Sequence, residues 1–129
     1  MKSIVNTNEV IMFLINGLIA TAVHFSILYF CINFLMLNYD GISNFIGAFF
    51  GTVSSFVGNR VFVFKKSTGN IFMQSSKFFM LYAIIAINHG LFLYYWSDIS
   101  GHNYIIGFVL ITLMNTILSY FCNKYKVFN

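Results

Sequence analysis

The sequence predicts an all-α membrane protein whose four transmembrane helices form two parallel two-helix repeats, with both termini in the cytoplasm. Three observations predict it. Four long apolar runs fill most of the 129 residues, all seven Lys and Arg side chains fall in stretches that would share one side of a membrane, and the second half of the chain echoes the first.

Apolar residues make up 59% of the chain, aromatics 20% and charged residues 8%. In soluble domains about a quarter of the residues are charged, and a soluble chain of this length could not enclose so much apolar surface. The runs extend roughly from Val10 to Ile32, Ile42 to Gly58, Phe78 to Trp96 and Tyr104 to Cys122. Each is close to the ~20 residues a helix needs to cross ~30 Å of hydrocarbon. The first run is much longer than the ~7–15 residues of a signal-peptide core, and no small-x-small cleavage site follows it, so it reads as a retained helix.

Lys2 precedes the first run, Arg60, Lys65, Lys66 and Lys77 lie between the second and third, and Lys124 and Lys126 follow the fourth. The other two connections, Leu37 to Gly41 and Ser97 to Asn103, carry Asp40, Asp98 and His102 but no Lys or Arg. The positive-inside bias therefore places both termini in the cytoplasm. The net charge of +4 reads as topology and contact with anionic membrane lipids before it reads as nucleic-acid binding. Cys31 and Cys122 fall toward opposite faces of the bilayer and are not expected to pair. Between the second and third runs, Ser67-Thr68-Gly69-Asn70 is a loop signal, and Ile71 to Gln74 reads as a short amphipathic lead-in at the inner surface. No Pro occurs, so any sharp kink must arise at Gly or Ser.

A shift of sixty-four positions pairs Ile42 with Ile106, Thr52 with Thr116, Ser55 with Ser119, Asn59 with Asn123, Arg60 with Lys124, Val63 with Val127 and Phe64 with Phe128. A shift of one more pairs Phe13 with Phe78, Ile19 with Ile84, His24 with His89, Leu28 with Leu93 and Tyr29 with Tyr94. Repeat one runs from about residue 10 to 64 and repeat two from about 78 to 128, within a single transmembrane domain covering 1–129. Each repeat holds two helices and so enters and leaves on the same side, which makes the repeats parallel.

The second helix of each repeat carries a small or polar stripe at four-residue spacing, which keeps its members on one slowly drifting face. The stripe is Ser43, Gly47, Gly51, Ser55 and Asn59 in the first repeat, and Gly107, Ile111, Asn115, Ser119 and Asn123 in the second. Gly47-x-x-x-Gly51 permits close helix approach within one chain or between chains. Asn115, near the centre of its run, fits either interhelical hydrogen bonding or contact with a polar substrate. His24 and His89 occupy matching mid-membrane places. They suit structural hydrogen bonding first, and after it proton sensing or contact with hydroxyls. Asn16 and Gly17 would join the same polar interior.

The most specific local pattern follows each even-numbered helix: Asn59-Arg60-Val61-Phe62-Val63-Phe64, and Asn123-Lys124-Tyr125-Lys126-Val127-Phe128. Its basic residues can snorkel to the headgroups as ordinary topology signals, or receive an anionic substrate. Phe62, Phe64, Tyr125 and Phe128 are expected as interfacial anchors.

Two repeats each ending in Asn-basic-x-x-Val-Phe, in a chain of this size with four spans, resemble the GtrA-like family of small membrane proteins associated with cell-surface polysaccharide synthesis. The resemblance runs from about Met12 to Phe128. It implies translocation of a polyprenyl-phosphate-linked sugar, such as undecaprenyl-phosphate glucose, across the bacterial cytoplasmic membrane for polysaccharide or O-antigen modification. As an alternative it allows a non-transporting scaffold that holds a glycosyltransferase partner at the membrane. On the first reading, Arg60 and Lys124 would receive the phosphate. Asn59, Asn123, Asn115, Ser55, Ser119, Thr52 and Thr116, with His24 and His89, would meet the sugar. Lys124 departs from Arg at the second copy, keeping the charge but losing the planar fork suited to bidentate phosphate binding.

No enzyme is expected. The three acids, Glu9, Asp40 and Asp98, form neither a metal cluster nor an acid/base pair, and no cofactor motif or ATP-binding phosphate loop is present. The same acids lie outside the apolar cores, so proton coupling through an intramembrane carboxylate is not expected, and a passive carrier is the simplest mechanism. Four helices scarcely enclose a path for a sugar, which makes a homo-oligomer plausible.

Overall fold

The computed structural model describes residues 5–129, so Lys2 lies outside the described residues. Four α-helices follow one another: α1 (Thr7–Asn33), α2 (Asp40–Gly58), α3 (Ile71–Leu93) and α4 (Tyr104–Cys122). The last three continue without a break into π-helical turns, Asn59–Val63, Tyr94–Ile99 and Asn123–Val127. The resulting spans are 27, 24, 29 and 24 residues long. At 1.5 Å per residue the shortest measures ~36 Å, enough to cross a bilayer.

Asparagines open three of the helices. Asn6, Asn70 and Asn103 each accept two backbone N–H groups of the first turn through Oδ1, at 2.8–3.4 Å, satisfying donors that the helix itself leaves unmet. α2 has no side-chain cap, but Asp40 stands in its first turn, where a carboxylate complements the positive end of the helix dipole. Gly101, with φ +68°, makes the left-handed turn ahead of α4 at no steric cost. Met36 adopts a φ of 49° in the connection between α1 and α2, a conformation that costs an L-residue about 1–2 kcal/mol.

The helices outrun the apolar runs at several ends. α1 begins at Thr7 because Asn6 caps it, and α2 takes in Asp40. The expected lead-in at Ile71 to Gln74 is not a separate surface element. Capped by Asn70, it forms the first turn of a continuous α3.

The chain divides into two compact units between Ser67 and Thr68, and each is a helical hairpin. In the first, α1 packs along α2. The buried face of α2 comprises Ser43, Gly47, Gly51 and Ser55, continuing to Asn59, so the small-residue stripe is the inward face. A Cβ at Gly47 would stand 2.7 Å from the carbonyl oxygen of His24, and one at Gly51 3.0 Å from that of Ala20. Gly47-x-x-x-Gly51 is therefore occupied by α1 of the same chain, a close approach that only small residues permit.

In the second unit the buried face of α4 is Gly107, Ile111, Asn115 and Ser119, continuing to Asn123. Gly107 makes room for the Trp96 indole, whose Nε1 donates to the carbonyl of Asn103 at 3.0 Å. This bond ties the end of the α3 span to the start of α4.

Two of the four expected interfacial aromatics are core residues instead. Phe64 and Phe128 are buried, whereas Phe62 and Tyr125 are exposed. Phe64 packs against Phe13 with ring centroids 6.5 Å apart, and Phe128 against Phe78 at 6.1 Å. The burial goes together with a local change of backbone geometry. In both motifs the N–H of the final Phe reaches back five residues, Phe64 to Asn59 at 2.7 Å and Phe128 to Asn123 at 2.9 Å. The wider turn keeps Asn and Val on the inward face and folds the terminal Phe under the hairpin. Both cysteines are free thiols.

Candidate functional site

Each Asn-basic-x-x-Val-Phe motif is a π turn built on a fully enclosed asparagine. Asn59 and Asn123 are both 0% exposed. The Nδ2 of Asn59 lies 3.5 Å from Ser55 Oγ, and that of Asn123 lies 3.5 Å from the Tyr82 hydroxyl. In each, Oδ1 is buried with no hydrogen-bond partner. An amide carbonyl enclosed in this way calls for a donor such as an ordered water, and it repels rather than receives the oxygens of a phosphate. These two side chains, expected to line a polar path, are sealed within their own hairpins.

The basic residue that follows each asparagine is half-buried and stands in the last turn of its span, where a cation offsets the negative end of the helix dipole. Lys124 donates to the Tyr120 hydroxyl at 3.3 Å and its ammonium lies 5.5 Å from the centre of that ring. Tyr120 itself is buried. Lys124 is thus held close to its own helix, while its charge stays at the end of the span.

Among the described residues, the hydroxyls of the expected path turn mostly to their own helices. Thr52 donates to Ala48 O at 2.8 Å, Thr116 to Thr112 O at 2.7 Å and Ser119 to Thr116 O at 3.3 Å. Such bonds satisfy a hydroxyl in hydrocarbon without a ligand. Ser55 is buried beside Asn59, and its backbone carbonyl accepts a 3.0 Å bond from Asn16 Nδ2. Asn16 joins this buried group, as expected from the sequence. Gly17 does not; it is exposed and its carbonyl accepts the Thr21 hydroxyl at 2.9 Å.

The histidines differ in chemistry while occupying matching positions. His24 Nε2 is 2.9 Å from Asn44 Oδ1 on α2, a crosslink between the helices of the first unit. His89 meets the ring of Phe108 edge-on at 5.3 Å, and Phe108 stands sixty-four places after Asn44. The first hairpin is therefore bolted by a polar bond where the second uses an aromatic contact.

Asn115 makes a polar crosslink in the second unit. Its Oδ1 accepts from Asn88 Nδ2 at 3.1 Å, which joins α3 to α4, while its own Nδ2 is buried without a partner. Two residues here escaped the sequence reading. Asn88 was detectable as an amide inside an apolar run, the signal that singled out Asn115. Gly58, on which Asn16 rests, carried no signal outside three dimensions.

Four helices long and apolar enough to span, with polar groups turned inward on facing helices, define a multi-pass α-helical membrane protein. The chain belongs to the GtrA/DPMS transmembrane domain family, whose model matches residues 12–128, and membership points to the synthesis of polysaccharides from lipid-linked sugars. No curated protein and no solved structure matches the chain.

Proposed function

We propose that this protein moves a polyprenyl-phosphate-linked sugar, such as undecaprenyl-phosphate glucose, between the leaflets of the bacterial cytoplasmic membrane without itself catalysing a reaction. The observation that carries the reading is the pair of π turns. Each sets a cationic side chain, Arg60 or Lys124, at the end of a span next to an enclosed asparagine. A headgroup phosphate needs cationic donors at that depth. Arg60 offers a planar fork and Lys124 a point charge, so the two ends would differ in how tightly they hold it. The exposed apolar helix surfaces suit the polyprenyl tail, which can stay among lipids while only phosphate and sugar need guidance.

The test is transbilayer movement of a short-chain polyprenyl-phosphate glucose in liposomes holding the purified protein. Arg60→Ala combined with Lys124→Ala should slow movement at least about tenfold, the equivalent of one lost charge-assisted hydrogen bond. The threonine hydroxyls that bond to their own helices favour a second reading, a scaffold that seats a glycosyltransferase and needs no open polar path. Folded protein that moves no lipid beyond empty liposomes would select that reading.

A further inference from the structure

Asn115 stands eleven residues after Tyr104 and twelve before Val127, the ends of its span. It is therefore ~17 Å from either end, at the centre of the hydrocarbon. Its side chain is 6% exposed and its Nδ2 has no partner. Asn88, which donates to it, is exposed, and Asn88 Oδ1 has no hydrogen-bond partner among the described residues. The bond to Asn115 holds this exposed side chain by its nitrogen and leaves its oxygen without a partner. Lipid tails offer that oxygen no donor, and an unmet polar group in hydrocarbon costs several kcal/mol.

The first unit closes without such a pair. Val23 and Gly51 stand at the corresponding places of the first unit, sixty-five and sixty-four residues earlier. There the helices close with Gly51 set to meet Ala20 O and His24 Cβ at 3.0 Å, with no amide at either place. The second unit therefore differs from the first in holding an unmet acceptor on exposed Asn88 and an unmet donor on buried Asn115.

A hydroxyl both donates and accepts and can satisfy either group, whereas a phosphate oxygen can only repel the carbonyl of Asn88. We propose that Asn88 contacts a hydroxyl of the sugar as it crosses the middle of the membrane, with Asn115 as the positioning residue that aims the amide. This inference rests on the translocation reading above.

The test compares binding of two probes to the purified protein in nanodiscs: short-chain polyprenyl-phosphate glucose, and the same polyprenyl phosphate without the sugar. Asn88→Leu should weaken the glucoside by about tenfold, the loss of one hydrogen bond, and leave the sugar-free lipid within about twofold. Asn88→Gln, which keeps an amide, should recover part of the loss and serves if the leucine variant fails to fold. Unchanged glucoside binding, equal weakening of both probes, or a change in the size of the detergent-solubilised particle would overturn the sugar contact while leaving translocation standing. Wild-type protein that binds neither probe would overturn both.

Discussion

Asn16 sits on Gly58. Its Nδ2 donates to the carbonyl of Ser55 at 3.0 Å, and its Oδ1 fills the space that a Cβ on residue 58 would occupy. The fit locks α1 to the end of α2, one residue before the π turn that carries Asn59 and Arg60. Gly58→Ala should therefore displace the amide and cost about 1–2 kcal/mol, the upper range for interhelical hydrogen bonds in membranes. Thermal unfolding in detergent would show it. Adding Asn16→Ala should remove the clash, so the double variant should be no less stable than Gly58→Ala alone. Additive losses would show that the two positions do not couple.

The two glycines of the α1–α2 contact are not equivalent. A Cβ at Gly47 meets both the carbonyl oxygen and the ring of His24 at 2.7 Å, whereas one at Gly51 meets its neighbours at 3.0 Å. Backbone cannot swing aside as a side chain can, so Gly47→Ala should destabilise by about 1–3 kcal/mol and Gly51→Ala by less. It should also disturb the His24–Asn44 bond. Equal melting temperatures for the two variants would refute the ranking.

The inward fold of Phe64 and Phe128 separates them from their exposed neighbours. Phe64→Ala or Phe128→Ala should lower stability more than Phe62→Ala or Tyr125→Ala. The loss should fall short of the ~3–5 kcal/mol seen for Phe→Ala in water-soluble cores, because lipid tails replace part of the lost contact. Melting curves of the four variants in one detergent would decide the order.

Orientation, read from the positive residues, has a direct test. In a variant with both native cysteines replaced by serine, a single cysteine at Lys66 should resist a membrane-impermeant thiol reagent added outside intact cells. One at Ser100 should react. The reverse pattern would invert the assigned topology.

The sequence by itself determined the class of protein and the inward faces of α2 and α4. Apolar length, charge placement and four-residue spacing are properties of a helix in lipid, whatever it packs against. It likewise marked Asn16, Asn115, His24 and His89, because a polar group in an apolar run must find a partner. The partners themselves lay beyond it: Ser55 O for Asn16, Asn88 for Asn115, Asn44 for His24. Only the tertiary structure decided these, and with them which asparagines are sealed and which amide is left at the surface. Helical periodicity fixes the direction in which a side chain points, but the register of one helix against the next is set by packing. Here a carbonyl over Gly47 and an amide over Gly58 hold that register. The π turns belong to the same category, since an i→i+5 bond forms where burying Phe64 and Phe128 offsets the poorer helix geometry, a balance that exists only once Phe13 and Phe78 are in place.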